Sequence, residues 1–453
     1  MIGPRVVVAG THSGAGKTTV ATGLLAALRS AGHRPAAAKV GPDFIDPGYH
    51  ALACGRPPRN LDAWLCGLDA VGPLAARAAA GADLLVVEGV MGLFDGAADG
   101  TPSSTADIAR ALDAPVVLVV DAASQSSSVA AVVHGFATLQ PTVRIGGVVL
   151  NRVASDGHEV LLREALDPLG IPVLGALRRD DRLVWRDRHL GLVPVAERPD
   201  EVAAALAALA AAVADRVDLA AVVALARSAP PLAAGPVSLP SPVGGGRPAR
   251  VAVAGGRAFT FTYTDTLDAL SAAGAEVVGF DPLRDERLPD GVDGLLVGGG
   301  FPETHASELA DNRALLDDVR RRVGAGLPTW AECGGLAWLC RDLDGHPMAG
   351  VVAASATMSD RLRLGYRTAV TSVDTPLGPA GTELRGHEFH YSTVDPPGDV
   401  LELRSRFAQG HDGHGTPSLV ATYLHHHPGG DPSIVANFVA ACARRERTGD
   451  VPG

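Results

Sequence analysis

The 453-residue chain holds only two lysines, Lys17 and Lys39; apart from histidine, every other basic side chain is arginine. Where lysine survives such a replacement, a compact ammonium is needed that a planar guanidinium cannot imitate. Cysteine is also scarce: Cys54, Cys66, Cys333, Cys340 and Cys442 are odd in number and scattered, with no paired CxxC spacing. That excludes a zinc ribbon and fits a reduced, cytoplasmic protein. No long basic run offsets the formal net charge of −11, which argues against bulk nucleic-acid binding. The strand-like "RVVVAG" begins at Arg5, and the expectation is that the chain carries no signal peptide. The most apolar long stretch, "VAAALAALAAAVADRVDLAAVVALA", is broken by Asp215, Arg216 and Asp218, so it reads as Ala-rich helix and not as a membrane span.

What is present is an α/β pattern, twice. "RVVVAG", "PAAAKV", "DLLVVEG", "APVVLVVDA" and "RIGGVVLNRV" read as buried parallel strands separated by crossover helices. A Pro/Gly/Ser-rich stretch over 226–248 reads as a linker. The alternation then resumes with "RVAVAGG", "AEVVGF", "GLLVGGG" and "LPTWAEC". The expectation is two doubly wound α/β domains, 1–225 and 249–453.

"AGTHSGAGKTTVA" lies between a strand and a helix pattern. A phosphate-binding loop needs glycines that let backbone N–H groups turn inward, a lysine, and a hydroxyl for a metal. Gly14, Gly16, Lys17 and Thr18 supply these, with Ala15 and Thr19 completing the loop; Thr11 stands where the first glycine normally falls. "KVGPDFIDPGYH" puts Lys39 at a strand end with Asp43 and Asp46 beyond it, and "VVEGVMGLFDG" places Glu88 and Asp95. Carboxylates at the C-terminal ends of parallel strands face the same crevice as the loop. Thr18, Glu88 and one of Asp43 or Asp46 suffice for Mg²⁺. Each acid taken alone could equally be a solvated loop residue.

These stretches resemble the dethiobiotin synthetase-like branch of P-loop enzymes, which activate a carboxylate with ATP as an acyl phosphate. The resemblance implies an ATP site that includes Lys39, and it places Asn151 of "VVLNRV" against the adenine. Partitioning ATPases of similar fold carry a signature lysine within the loop, where His12 stands here.

In "TWAECGGLAWL" a strand run ends at Cys333 and two glycines lead into a helix pattern. Such a turn exposes a nucleophile and aims backbone N–H groups at an oxyanion. Gly334 is one candidate donor; Gly298, Gly299 and Gly300 of "LLVGGGFPE" offer another. A thiolate nucleophile needs a base, and "LVATYLHHHP" offers His425, His426 and His427. A metal site is the competing reading of these histidines. The other four cysteines lack the glycine context and read as small core residues.

This half resembles the class I glutamine amidotransferases, in which a cysteine attacks the glutamine amide and releases ammonia. The resemblance implies that His425 is the base. Common members carry a glutamate two residues after that histidine; His427 stands there, so the group orienting His425 is unnamed. Its absence is typical of the cobyrinate and cobyrate subgroup.

Together the two resemblances imply an amidoligase, in which ATP activates a carboxylate and ammonia from glutamine displaces phosphate. The stretches quoted above, with "RHLGLVP", "AFTFTYTDTLDAL", "RLGYRTA" and "GHEFHYS", resemble the cobyrinate and hydrogenobyrinate a,c-diamide synthase family from about residue 9 to 427. That resemblance implies Mg²⁺, ATP, glutamine and a corrinoid polycarboxylate, amidated at its c and then its a acetate. It implies no nucleic-acid or membrane partner and is compatible with a homodimer. A net-acidic protein must offer such a substrate local positive charge. Arg178, Arg179, Arg186, Arg188 and His189 supply it, unless they form a solvated charged face, and Asp46 and Asp95 are the acids expected beside the substrate. His387, Phe389 and Tyr391 alternate on one strand face and read as packing residues. The rival readings are a sister amidoligase, cobyric acid synthase or nickel-sirohydrochlorin a,c-diamide synthase, and a partition-type regulatory NTPase with a vestigial glutaminase.

Overall fold

The computed structural model describes residues 1–180, 187–188, 191–192, 194–243, 247–406 and 409–444. The chain forms two compact units, Met1–Val237 and Ser238–Gly453.

The first unit is built on a seven-stranded sheet. Its strands are β1 (Arg5–Gly10), β2 (Pro35–Val40), β3 (Arg59–Leu61), β4 (Leu84–Glu88), β5 (Val116–Asp121), β6 (Ile145–Val153) and β7 (Val173–Arg178). Their order across the sheet is β3-β2-β4-β1-β5-β6-β7, and every pairing is parallel. β1, β2 and β4 are buried along their whole length, which is why they read as continuous Val, Leu and Ala runs instead of alternating ones. Helix α1 (Lys17–Ser30) follows β1, and α2 (Asp46–Cys54) follows β2. Parallel pairing brings the C-terminal ends of β1, β2 and β4 to one edge, with Lys39 directly across from Glu88.

The stretch 226–248 is partly built into this unit. A helix continues to Arg227, and Leu232 exchanges backbone hydrogen bonds with Ile2 at 2.8 and 3.2 Å. Arg5, fully buried, donates to the Pro230 carbonyl at 2.7 Å and to that of Gly3 at 2.9 Å, so its guanidinium staples this stretch to the start of β1.

The second unit has a six-stranded sheet in the order Ala275–Phe280, Ala249–Ala254, Gly294–Val297, Thr329–Glu332, Leu419–Thr422, His414–Thr416. The first five strands are parallel and the last pairs antiparallel. A second sheet centres on a long antiparallel hairpin, Ser355–Thr371 with Glu383–Asp395, whose register shifts between Met358 and Arg363. That hairpin departs from a purely doubly wound unit. Among the described residues no helix is long and apolar enough to cross a membrane.

Candidate functional site

The first unit carries a phosphate-loop geometry. Gly14 has φ 82° and Gly16 φ 97°, a left-handed backbone that favours glycine. Gly16 caps α1 without any side-chain cap, which leaves the first N–H groups of the helix facing the loop. Gly16 is further constrained from below: a Cβ there would lie 2.1 Å from Asn151 Nδ2. Asn151 also donates to the Ala15 carbonyl at 3.0 Å, so in this structure it buttresses the underside of the loop. The Lys17 stem runs along Gly10, where a Cβ would meet Lys17 Cγ at 2.9 Å, and Lys17 Nζ donates to the His12 carbonyl at 3.2 Å. Burial, then the neighbouring Lys39 charge, pushes the Lys17 ammonium down to about 8. Thr11 bonds to the His12 ring at 2.9 Å, and Thr19 is half-buried in the first turn of α1.

Behind the loop is a buried charge cluster. Thr18 Oγ1 lies 2.7 Å from Glu88 Oε1 and 3.2 Å from Asp46 Oδ2. Lys39 Nζ uses its three donors on Asp46 Oδ2 (2.7 Å), Glu88 Oε1 (2.8 Å) and the Gly89 carbonyl (3.1 Å). His50 Nε2 donates to Glu88 Oε2 at 2.6 Å. Burial raises the Glu88 pKa, but Lys39 and His50 outweigh it and hold the carboxyl well below its usual range. The Asp46 carboxyl goes the other way: burial, followed by repulsion from Asp43, lifts it well above its ordinary value.

Thr18, Asp46 and Glu88 are hard oxygen donors within hydrogen-bond reach of one another, the ligand type Mg²⁺ takes, and the Lys39 ammonium bridges the same two carboxylates. Asp43 Oδ1 accepts from the backbone of Ile45 (2.7 Å) and Asp46 (3.3 Å) at the start of α2. Among the described residues no group of three or more His, Cys, Asp or Glu forms a metal cage, the histidine run included. A site completed by water and phosphate oxygens does not need one. Asp95 is exposed, accepts from Gly92 N at 2.8 Å and acts electrostatically on Lys17.

Of the residues expected at the macrocycle, Arg186 and His189 lie outside the described residues. Arg188 belongs to a short strand, Asp187–Arg188, paired with Gly191–Leu192. Arg178 is already engaged by Asp156 and Glu159, the latter at 2.9 Å, which corrects its reading as an available cation. Arg179 is exposed.

In the second unit Cys333 sits on a strained turn. Its φ of 51° and ψ of −105° lie outside the allowed wells for an L-residue, between the Thr329–Glu332 strand and the Gly334–Leu339 helix. The glycines around it are required by space. A Cβ on Gly335 would lie 2.3 Å from the Val297 carbonyl, and one on Gly300 2.1 Å from the Ala258 carbonyl. A Cβ on Gly299 would lie 2.5 Å from His425 Cε1 and 3.3 Å from Cys333 Cβ, so nucleophile and base flank this bare backbone. Gly299 spends its N–H on the Phe261 carbonyl (3.2 Å), so it gives the site space and not a donor. The candidate oxyanion donors are then Gly300 and Gly334, which adjoin: a Cβ on Gly334 would lie 3.1 Å from Gly300 N.

The three histidines part company. His425 faces Cys333 and exchanges backbone hydrogen bonds with His387 at 3.0 Å each way. His426 Nδ1 donates to Glu332 Oε1 at 2.8 Å. His427 packs on the Tyr263 ring and lies 3.7 Å from Asp265. Burial alone would lower the His425 pKa, but Cys333 and Glu332 raise it to about 10. His387, stacked edge-on with Tyr366, is pushed down to about 3 by burial and by His425. Glu332 and His50 were missed from sequence. Both stood in the quoted motifs, and only tertiary pairing shows what they touch.

A nucleotide loop backed by oxygen ligands and a cysteine elbow faced by a histidine, on one chain, define a glutamine-hydrolysing, ATP-dependent ligase. The comparisons agree: residues 6–192 match the CobQ/CobB/MinD/ParA nucleotide binding domain, and residues 250–432 the CobB/CobQ-like glutamine amidotransferase domain. A hydrogenobyrinate a,c-diamide synthase of Streptomyces coelicolor is 52% identical over 97% of both chains. One of Mycobacterium tuberculosis is 50% identical, covering 97% of this chain and 98% of its own. A cobyrinate a,c-diamide synthase of Synechococcus is 42% identical over 96% of this chain and 98% of its own. The chain belongs to the cobyrinate/hydrogenobyrinate a,c-diamide synthase family.

Proposed function

We propose that the chain converts the a and c acetate carboxylates of hydrogenobyrinate to amides, using ATP and glutamine. The observation that carries this is near-full-length identity to diamide synthases, higher toward the relatives named for hydrogenobyrinate than toward the one named for cobyrinate.

Cys333 Sγ attacks the side-chain amide carbon of glutamine, and the negative charge on the carbonyl oxygen falls to the Gly300 and Gly334 amides. His425 gives its proton to the departing nitrogen, which leaves as ammonia. Water then cleaves the glutamyl thioester, returning the thiol and glutamate. In the first unit a substrate carboxylate oxygen attacks the terminal phosphorus of ATP, giving an acyl phosphate and ADP. Ammonia attacks the acyl carbon and phosphate leaves. Lys17 and the amides at the start of α1 hold the phosphates. Thr18, Asp46 and Glu88 would hold Mg²⁺, which supplies charge neutralisation on those phosphates. Asn151 lies under the nucleotide loop, and we keep it as the adenine contact, with Asp95 and Arg188 as substrate contacts. Use of ATP with a free reactive thiol fits the cytoplasm.

The test is mass spectrometry of each macrocycle after incubation with enzyme, ATP, Mg²⁺ and glutamine. Diamide should form faster from hydrogenobyrinate than from cobyrinate, and ADP should appear only with a macrocycle present. Amidation of a preformed a,c-diamide would point to cobyric acid synthase instead. ADP release that ignores the macrocycle would point to a regulatory NTPase.

A further inference from the structure

A histidine that shuttles a proton needs a group on its far nitrogen to fix the ring and to stabilise its charged form. Two residues beyond His425 stands His427, which has no carboxylate and turns to Tyr263 and Asp265. We propose that Glu332, the residue immediately before the nucleophile, is the positioning carboxylate for His425. The inference rests on the reading of Cys333 and His425 as nucleophile and base.

Three observations carry it. The first is the direction of the ring. A Cβ on Gly299 would meet His425 at Cε1 (2.5 Å) and Nε2 (3.2 Å), which puts that edge on the Cys333 side. Nδ1 lies 3.7 Å from Glu332 Oε2, on the other side. One nitrogen faces the chemistry and the other a carboxylate.

The second is how firmly the carboxylate is held. Oε1 accepts from Trp330 Nε1 (3.0 Å), from the His426 backbone N–H (3.1 Å) and from His426 Nδ1 (2.8 Å). Those donors fix one oxygen and leave Oε2 for His425. Trp330 is almost fully buried, and both Glu332 and His426 are buried, so the clamp is not a solvated surface pair.

The third is the fold logic. The Thr329–Glu332 strand pairs in parallel with Leu419–Thr422, with Glu332 across from Thr422. The residues after each strand therefore emerge side by side: Cys333 after one, His425 after the other. A carboxylate at the last position of the first strand meets the histidine segment without a loop insertion. Burial alone would raise the Glu332 carboxyl, but the neighbouring His425 and His426 hold it down at about 2. The carboxylate is thus ionised throughout the working pH range.

Other groups round His425 do not fill this role. Cys333 is its reaction partner. His387 is held neutral, and its strand meets His425 through backbone. Farther off, His390 and Arg367 are cationic or neutral side chains, and Tyr423 bonds to Ser392 at 2.9 Å. Arg367 is itself paired with Glu388 at 2.8 Å.

The experiment compares full-length Glu332→Gln and Glu332→Asp with the native chain in two assays. One is glutamine hydrolysis, read as kcat, KM and pH profile; the other is diamide formation driven by free ammonia. For Glu332→Gln we expect kcat of hydrolysis to fall on the order of 10²-fold or more with KM little changed. The limb of the pH profile that reports loss of the imidazolium proton should move to lower pH, since a neutral amide no longer holds that charge. Ammonia-driven amidation should persist at the native rate, which shows that the protein is folded. Glu332→Asp, charged but shorter, should recover part of the loss. Native kcat and pH profile in Glu332→Gln would overturn the assignment. So would a rise in KM alone, or loss of both activities together, which would make Glu332 a glutamine contact or a structural anchor. Cys333→Ala assayed alongside keeps the two readings apart: if it still hydrolyses glutamine, the nucleophile assignment fails whatever Glu332 does.

Discussion

Lys39 and Glu88 form an ion pair at 2.8 Å with almost no water access to either side chain. The ammonium bridges from Glu88 to Asp46, and the Thr18 hydroxyl lies against the same two carboxylates. Glu88→Gln removes one charge from a buried set and leaves Lys39 less compensated. Breaking a buried pair of this kind costs about 3–5 kcal/mol at the upper end, and Asp46 retains part of the attraction here. The variant should melt earlier and lose diamide formation with ammonia as well as with glutamine. Basal glutamine hydrolysis should survive, because that chemistry belongs to the other unit. A variant that lost only hydrolysis would place Glu88 in the wrong reaction.

Gly16 tests whether the loop is a phosphate cradle. Its φ of 97° strains any L-residue, and a Cβ would strike Asn151 Nδ2 at 2.1 Å. Gly16→Ala should cost about 1–3 kcal/mol and abolish the thermal shift produced by ATP. Asn151→Ala removes the clash but not the strain. The double variant should therefore be more stable than Gly16→Ala with unchanged Asn151, a coupling that a double-mutant cycle reads directly. Additive effects would mean that the two residues do not touch.

The phosphate loop and the cysteine elbow were legible in the sequence because each depends on local chemistry. A left-handed backbone demands glycine at Gly16, and a strand-to-helix turn around Cys333 demands glycines beside it. The parallel sheet of the first unit was legible for a similar reason, since strands buried on both faces are apolar throughout. Glu332 and His50 were not, because an acid or a histidine beside a motif has no local signature until its partner arrives from another strand. The Ser355–Thr371 strand was hidden differently. Much of it is exposed or half-buried, so no apolar period marks it. Arg178 misled because a cluster of arginines looks like a binding patch until Asp156 and Glu159 are seen to claim one of them.

Asp412 gives a prediction about pH and stability. It is buried, its Oδ2 accepts from Thr422 Oγ1 and Tyr423 N, and burial pushes its carboxyl up to about 6. A folded value above the unfolded one means that folding favours the protonated form. Its contribution is fully present below about pH 4 and is lost as pH rises through about 6. Asp412→Asn keeps an acceptor for both donors and removes the charge. The variant should match the native chain near pH 4 and exceed it by about 1–3 kcal/mol above pH 6 to 7. Melting curves from pH 4 to 8 check this; a constant offset at all pH values would show that the carboxyl is not the source.

The last prediction sets Cys333 against Cys340. Both are buried and free, yet their surroundings differ. Cys333 caps a helix at a strained φ of 51° and faces His425. Cys340 is fully buried in the apolar core, with its thiol pushed up to about 12 by burial, so it carries no thiolate at neutral pH. Cys333→Ala should abolish glutamine-driven amidation and leave ammonia-driven amidation intact, because the acyl phosphate accepts ammonia from any source. The rescue should strengthen as pH rises toward the pKa of ammonium, since NH₃ and not NH₄⁺ is the nucleophile. Cys340→Ala should keep both activities and lose only packing, on the order of 1 kcal/mol. Steady-state rates with each nitrogen source, with melting temperatures as the folding control, decide it. Glutamine-driven activity in Cys333→Ala would remove the nucleophile from this turn. Loss of ammonia-driven activity in a folded Cys333→Ala protein would mean that the thiol also shapes the synthetase reaction.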